Sequence, residues 1–505
     1  MAMRTNLSLA IFLFFSFALF SNLALCKKVT EVEDPELITC KHQCQQQCEY
    51  TEDDKRACVQ RCDVYHRTKQ EREKQIQEET REKKEREMEV KGGHHHHHEG
   101  KESHDEGEQE KQQENPYVFE ESSFDTKVET ESGRIRLLQK FTKKSKLLQG
   151  IDNFRLAIIE AKARAFMSPL HFDSEVVLFI VKGQALLGMV RESETEKFSL
   201  EAGDMLRIPA GTPLYIANRD DNEKLFFAML HMPISTPGKF EEFFGPGGQD
   251  PESVLSAFGW NVLQAALQTP KGKLEKLFNQ QNEGRIFEIS REQLQALAPK
   301  KGSWWPFGGP SKAPFNLFRK YPVFSNRNGR LTEVGPSDSK SGLEALNIML
   351  TFTNITQRSM STIHYNSHAT KIALVINGTG HLQIACPHLA SKSESEHEKS
   401  SPSYHSISSN LKPGTVFVVP PGHPFVTMAS RKENLLIICF EINARENKKF
   451  TFAGKNNIVS SLDTVAKELA FNYPADMVNQ VFDRKEEFFF PFVLPREERG
   501  RYADA

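Results

Sequence analysis

From Asn115 onward, short apolar and β-branched runs alternate with clusters of Gly, Pro and Asn. The clearest runs are 176–181, 205–208, 225–230, 373–376, 416–419 and 435–442. Many short runs bounded by turn residues predict a β-sandwich or barrel. Two stretches, 253–277 and 458–482, carry apolar residues at helical spacing instead, and each follows one β-rich region. The order then repeats. Gly203-x5-Pro209-x-Gly211 returns as Gly414-x5-Pro420-x-Gly422, and the turn at Gly183 returns at Gly378. Pro116-Tyr117-Val118-Phe119 reads as an echo of Tyr321-Pro322-Val323-Phe324. The pattern predicts an internal duplication: two β-units, each with a helical arm.

The rest of the chain is of a different kind. Residues 63–114 are almost entirely Glu, Lys, Arg, Gln, His and Gly, too polar to order themselves by burial. His94 to His98 form a histidine run there, read either as a solvated tract or as an adventitious metal binder. A Pro, Gly, Trp and Lys-rich tract, 299–314, separates the two β-units; Trp304 and Trp305 in it read either as linker packing across the barrels or as a docking patch. A Ser/Glu-rich insert, 391–409, is expected to be an exposed loop of the second unit. With 65 basic against 67 acidic residues the net charge is −2, which excludes a globally basic nucleic-acid binder. The 37 Phe argue against whole-chain disorder.

Arg4 precedes an apolar run, 7–25, followed by small residues with Ala24 and Cys26 at −3 and −1. This is a signal-peptide pattern with cleavage after Cys26; an uncleaved anchor is the competing reading. Entry into the secretory pathway suits the cysteines. Cys44-x3-Cys48 and Cys58-x3-Cys62 place each pair on one helical face, so two antiparallel helices would bridge as Cys44–Cys62 and Cys48–Cys58. A zinc site is the alternative. Cys40 is left without an assigned partner. The sequons at Asn354 and Asn377 are candidate glycosylation sites, Asn377 the less certain because it sits in a tight turn.

The two Gly-x5-Pro-x-Gly segments resemble the second cupin motif. The ordered set of signal peptide, Cys-x3-Cys pairs, charged linker, Asn115-Pro-Tyr-Val-Phe, two cupin units and Pro420-Pro-Gly-His-Pro-Phe resembles a seed vicilin, a 7S globulin. The resemblance implies a mainly β fold of two jelly-roll cupin barrels with helical arms, plus an N-terminal helical hairpin and a charged linker. It implies a homotrimer, deposition in protein storage vacuoles, a nutrient-reservoir role without enzymatic activity, and allergenicity. The Cys-rich segment is expected to be separable as a small antimicrobial peptide, on resemblance alone. The expected segments are 1–26 signal peptide, 27–75 hairpin, 76–114 linker, 115–298 first cupin, 299–313 linker, 314–485 second cupin and 486–505 tail. A membrane-associated, sucrose-binding relative of the vicilins is a minor alternative; no stable membrane insertion is expected.

Metal-dependent cupins use three His and one Glu, a set suited to manganese or iron. In the first unit Leu170, Phe172, Val177 and Leu214 fall at those positions, with Asn218 kept as a trailing Asn and His171 pointing to the other face. In the second unit His364 survives, while Asn366, Lys371 and Phe425 replace the others; His368 is wrongly spaced to help. The count opposes a cupin oxidase or decarboxylase and leaves two barrels expected to be apolar inside, with room for a small organic anion. A second constellation is Cys386-Pro-His388 with His423, one thiolate and two imidazoles, a soft set favouring copper. Some vicilin-like globulins carry copper on such residues, and the resemblance adds Tyr117 as a further contact. The competing reading is a buried free Cys386 beside two ordinary histidines. Cys439, in an apolar run, reads as core. Seed storage is thus the leading function, and a ligand- or metal-binding two-cupin protein the alternative.

Overall fold

The structure, a computed structural model, describes residues 115–191, 194–245, 247–299, 314–338, 341–387, 404–483 and 489–493. Before residue 110 it describes only Arg56, Val59, Gln60, Asp63 and Arg67, all helical. Cys40, Cys44, Cys48, Cys58, Cys62, the histidine run, Trp304, Trp305 and His388 lie outside the described residues. Among the described residues, no helix is long and apolar enough to cross a membrane.

Two antiparallel β-barrels of matching topology follow one another. In the first, one sheet runs in the order Phe315–Asn316, Asp204–Ile208, Ser174–Lys182, Leu225–Pro233, Arg155–Ala161, Gly133–Leu138, Phe124–Thr130. In the second, the corresponding order is Val118–Phe119, Val416–Val419, Thr370–Asn377, Leu435–Ile442, Ile348–Ile355, Gly329–Val334, Phe324–Asn326. The facing sheets are built on Ala165–Phe172, Leu214–Asn218, Gln184–Arg191 and Glu194–Glu201 in one barrel. In the other they are built on His364–Asn366, Phe425–Ala429, Gly380–Cys386 and His405–Leu411. Central strands such as Leu435–Ile442 are covered on both faces, which is why they read as near-continuous apolar runs.

The two end strands are exchanged. Val118–Phe119 precedes the first barrel in the chain but pairs with Val416 and Phe417 of the second. Phe315–Asn316 pairs with Asp204 and Met205 of the first. The structural counterpart of Phe119 is therefore Phe315, not Phe324: Phe324 opens the strand that corresponds to Phe124–Thr130. Phe318 lies between the barrels, its ring 5.8 Å from Phe179 and 4.5 Å from Phe352. One continuous apolar core accordingly contains Phe179 and Leu230 of the first barrel with Phe352 and Phe440 of the second.

The repeated glycines have a backbone cause. Gly203 and Gly414 have φ of 91° and 87°, and Gly211 and Gly422 have 71° and 74°. Side chains with a Cβ are disfavoured there. At Gly378 (φ 78°) a Cβ would also sit 1.8 Å from the Asn434 carbonyl oxygen. Each arm is a helix pair broken in the same way. Trp260–Leu267 ends on Gln268 in the left-handed region and Lys271–Phe278 restarts after Pro270. Thr464–Phe471 ends on Asn472 and Ala475–Phe482 restarts after Pro474. Proline at a helix start is tolerated because its missing N–H has no intrahelical acceptor. Of the insert at 391–409, residues from His405 on are not loop but strand, pairing along Gly380–Cys386. Ile407 inside the barrel pins that register.

Candidate functional site

The centre of the second barrel is not apolar. Lys371 and Glu441 face each other across neighbouring strands, 2.6 Å from Nζ to Oε1, with side chains 5% and 0% exposed. Thr351 Oγ1 donates to the same carboxylate oxygen at 3.2 Å, and Asn366 Nδ2 to the other at 3.3 Å. Lys449 lies 3.5 Å from Glu441 and is also bonded to Glu333. Burial opposes the Glu441 carboxylate, but Lys371 and Lys449 outweigh it and hold its pKa down to about 2. Burial likewise opposes the Lys371 ammonium; Cys439 and Glu441 beside it raise its pKa. His364 donates Nδ1–H to the Thr362 carbonyl at 2.8 Å and packs on Phe425. Burial, opposed only in part by that bond, lowers its pKa to about 3, so it is neutral. A fixed ammonium thus stands at the site of the lost ligand set, already neutralised by a carboxylate. The apolar expectation fails here because Glu441 was hidden in the run Leu435–Ile442, with its partner far away in sequence.

The first barrel closes the same point with hydrocarbon. Leu170, Phe172 and Leu214 are buried together inside it. The residue at the Lys371 position is Val176, not Val177. Val176 pairs with Ile208 as Lys371 pairs with Val419, and both partners immediately precede the motif prolines. Val177 belongs to the core between the barrels, since one residue of slip moves a side chain to the opposite face. His231 occupies the Glu441 position, opposite Val176. It lies 3.0 Å from Ser174 Oγ and is stacked on Phe240 at 3.9 Å. Burial, with Arg155 adding, lowers its pKa to about 3. Sequence reasoning missed His231 and Glu441 alike; the signal was a lone polar residue near the end of each paired apolar run. His171 points away, half-buried and stacked on Phe243, and His368 is exposed. Asn218 is structural, its amide donating to the Ala161, Lys162 and Glu223 carbonyls.

Three residues of the other constellation do meet. The Val418 N–H donates to the Tyr117 carbonyl at 2.8 Å, which docks the exchanged strand. Tyr117 Oη then lies 3.7 Å from Cys386 Sγ, and its ring edge meets the His423 ring at 5.9 Å between centroids. The Ala385 N–H donates to Pro424 at 2.8 Å, bringing the His423 loop beside Cys386. All three side chains are buried. His423 Nδ1–H donates to the Pro421 carbonyl at 3.0 Å, which leaves Nε2 as the lone-pair nitrogen. Burial and the Cys386 contact raise the Tyr117 phenol pKa. Among the described residues, no three His, Cys, Asp or Glu side chains converge as a complete ligand set. Cys439 is buried, as its run predicts. Asn377 is exposed at a strand end, whereas Asn354 is half-buried within a central strand.

The cupin family profile matches residues 126–265 and 315–476. The chain is 71% identical to the sucrose-binding protein of Glycine max, over 100% of both chains. A crystal structure of vicilin from Corylus avellana superposes with a TM-score of 0.69 at 49% identity, covering 75% of this chain and 100% of that one. A vicilin structure from Solanum melongena, 33% identical with a TM-score of 0.69 over 75% of this chain and 98% of that one, has different anionic ligands in structurally similar pockets.

Proposed function

The chain belongs to the vicilins, the two-cupin 7S seed globulins, and from that premise we propose that it is a seed nitrogen reserve whose working principle is its packing. The observation that carries this is how both cupin centres are filled: Leu170, Phe172, Val176 and Leu214 in one, a neutralised Lys371 in the other. Neither offers a set of side chains for turnover. It is not an enzyme, and its amino acids become available only when the folded barrels are opened. Protein storage vacuoles, reached through the secretory pathway, are the expected site of deposition. Cuts are expected to begin in 76–114, 299–313 and 391–403, whose composition reads as linkers and an insert, because such connections are nicked before paired strands. Limited proteolysis of the folded protein with mapped first cuts tests this; early cuts within Thr370–Asn377 or Leu435–Ile442 would sink it.

Assembly into a homotrimer goes with this reading. The arms carry apolar side chains turned to solvent: Leu277 at 64%, Val465 at 63%, Leu469 at 79% and Val481 at 61% exposure. Such rows on short helices are what a neighbouring copy would cover. Sedimentation at micromolar concentration is expected to give three chains per particle; a monomer would refute the assembly.

A second reading concerns copper. Cys386 and His423, with His388 supplied by the sequence and Tyr117 as a further contact, form a thiolate and imidazole set of the right softness for it. Bound there, copper would supply one-electron redox chemistry. Replacing Cys386 by Ser is expected to lower copper from about one per chain to near zero, since the thiolate is the softest donor of the set. The measurement is elemental analysis after removal of the His94–His98 tract; retention of copper by C386S would discard the site. A small organic anion, by analogy with the Solanum melongena vicilin, would find Lys371 already paired, which favours a place away from the second barrel's centre. Of the two sequons, the exposed Asn377 is the better placed acceptor.

A further inference from the structure

The far end of the second barrel holds a cavity of about 700 Å³ lined by Arg358, His381, Lys412, Met428, Arg431 and Val493, among others. In the first barrel the corresponding place is covered by the helix Arg291–Leu297 of its own chain. The correspondence is fixed by backbone bonds. Arg164 N–H donates to Asp220 and Ile289 N–H to Arg164; Arg358 N–H donates to Ser430 and Val493 N–H to Arg358. Leu186 faces Ala217 across the sheet as His381 faces Met428. After Ile289, Ser290 caps the helix Arg291–Leu297 in a capping box with Gln293. Leu294 of that helix packs with Leu186 and Ala217, and Arg291 pairs with Asp221 at 2.9 Å.

The loop charge is reversed in the second copy, where Arg431 stands for Asp221. Arg164 pairs with Glu288 and Asp221. Arg358 has Phe492 where Arg164 has Glu288, and Arg431 where it has Asp221. Among the described residues neither Arg358 nor Arg431 has a carboxylate within ion-pair distance, and Lys412 reaches Glu120 only at 3.9 Å. The residue corresponding to Leu294, five beyond Val493, is Glu498, preceded by Glu497. Where the first barrel sets a helix base on a loop acid, the second has a loop base and acids in the segment that comes next.

We propose that this cavity is the seat of residues 494–501 of the same chain, with Glu497 and Glu498 received by Arg358, His381 and Arg431. Thr379, beside the Asn377–Gly378 turn, also lines the cavity. Arg496 and Arg499 flank the two acids, so the match depends on position and not on net charge. Reversing charges tests it in the full chain. Hydrogen exchange at the Arg358, Ser430 and Val493 amides is the readout, because these amides hold the lining together. E497R/E498R, and separately a chain ending at Val493, are each expected to speed that exchange about tenfold, the mark of a lost local contact. Adding R431E to E497R/E498R should restore protection, as should the peptide 494–505 added to the shortened chain. Unchanged exchange on shortening, or failure of R431E to rescue, would overturn the proposal. So would sulfate protecting the shortened chain where the peptide does not.

Discussion

Replacing Glu441 by Leu is expected to destabilise the protein by about 3–5 kcal/mol, because it strands the Lys371 ammonium in a closed barrel. Thr351 Oγ1 at 3.4 Å, the Phe425 ring at 5.9 Å and the buried Cys439 also neighbour that ammonium, but Glu441 is the carboxylate in direct contact with it. Lys371→Met should cost less, since Lys449 remains 3.5 Å from Glu441. The double variant K371M/E441L should fall close to the original stability, because a well-packed apolar pair often replaces a buried ion pair without loss. Urea midpoints for the three variants check the ranking. If both single changes cost under about 1 kcal/mol, as exposed pairs do, the pair is not the buried one described here.

The second large expectation is acid lability. His231 and His364 are held near pKa 3 by burial, against an ordinary value of 6.5. An unfolded chain takes up protons on both below about pH 6.5, and the folded chain does not until near pH 3. The stability they contribute is therefore complete above 6.5 and lost as the pH falls, at about 1.4 kcal/mol per unit for each histidine. Arg155 beside His231, and Lys371 and Lys449 beside His364, act in the same direction; Glu441 acts against it at His364. Glu441 itself, held near 2, removes further stability below its ordinary 4.5. Together the histidines should cost about 6 kcal/mol between pH 6.5 and 4. Urea unfolding across that range should show the slope, and H231F/H364F should flatten it by about 3 kcal/mol per unit. An equal slope in the double variant would remove both histidines from the account.

The repeat was legible because its glycines answer to backbone geometry that few other residues adopt, so Gly203 and Gly414 keep their spacing from Pro209 and Pro420. The arms were legible from periodicity. Cys386 and the His423 loop come near one another through Phe425–Ala429, which pairs with Gly380–Cys386, and not through Val416–Val419, which lies in the other sheet. What escaped was non-local. Val177 was taken for Val176 because an apolar run gives no internal mark of register. Glu441 lay unnoticed because its meaning comes from Lys371, one strand over in space and 70 residues away in sequence. The exchanged strands are two residues each, too short to announce a partner in the other half.

That exchange constrains how the protein is made. Asp204–Ile208 needs Phe315–Asn316 at its edge, and Val416–Val419 needs Val118–Phe119. At roughly 5–20 residues per second, the ribosome delivers Phe315 several seconds or more after Ile208. Until then the first barrel waits with an open edge, while Val118–Phe119 waits longer still for a sheet not yet translated. Maturation is thus tied to completion of the whole polypeptide, and a nascent chain released before the second half is synthesised leaves a barrel with a bare edge, the kind of surface that recruits other strands.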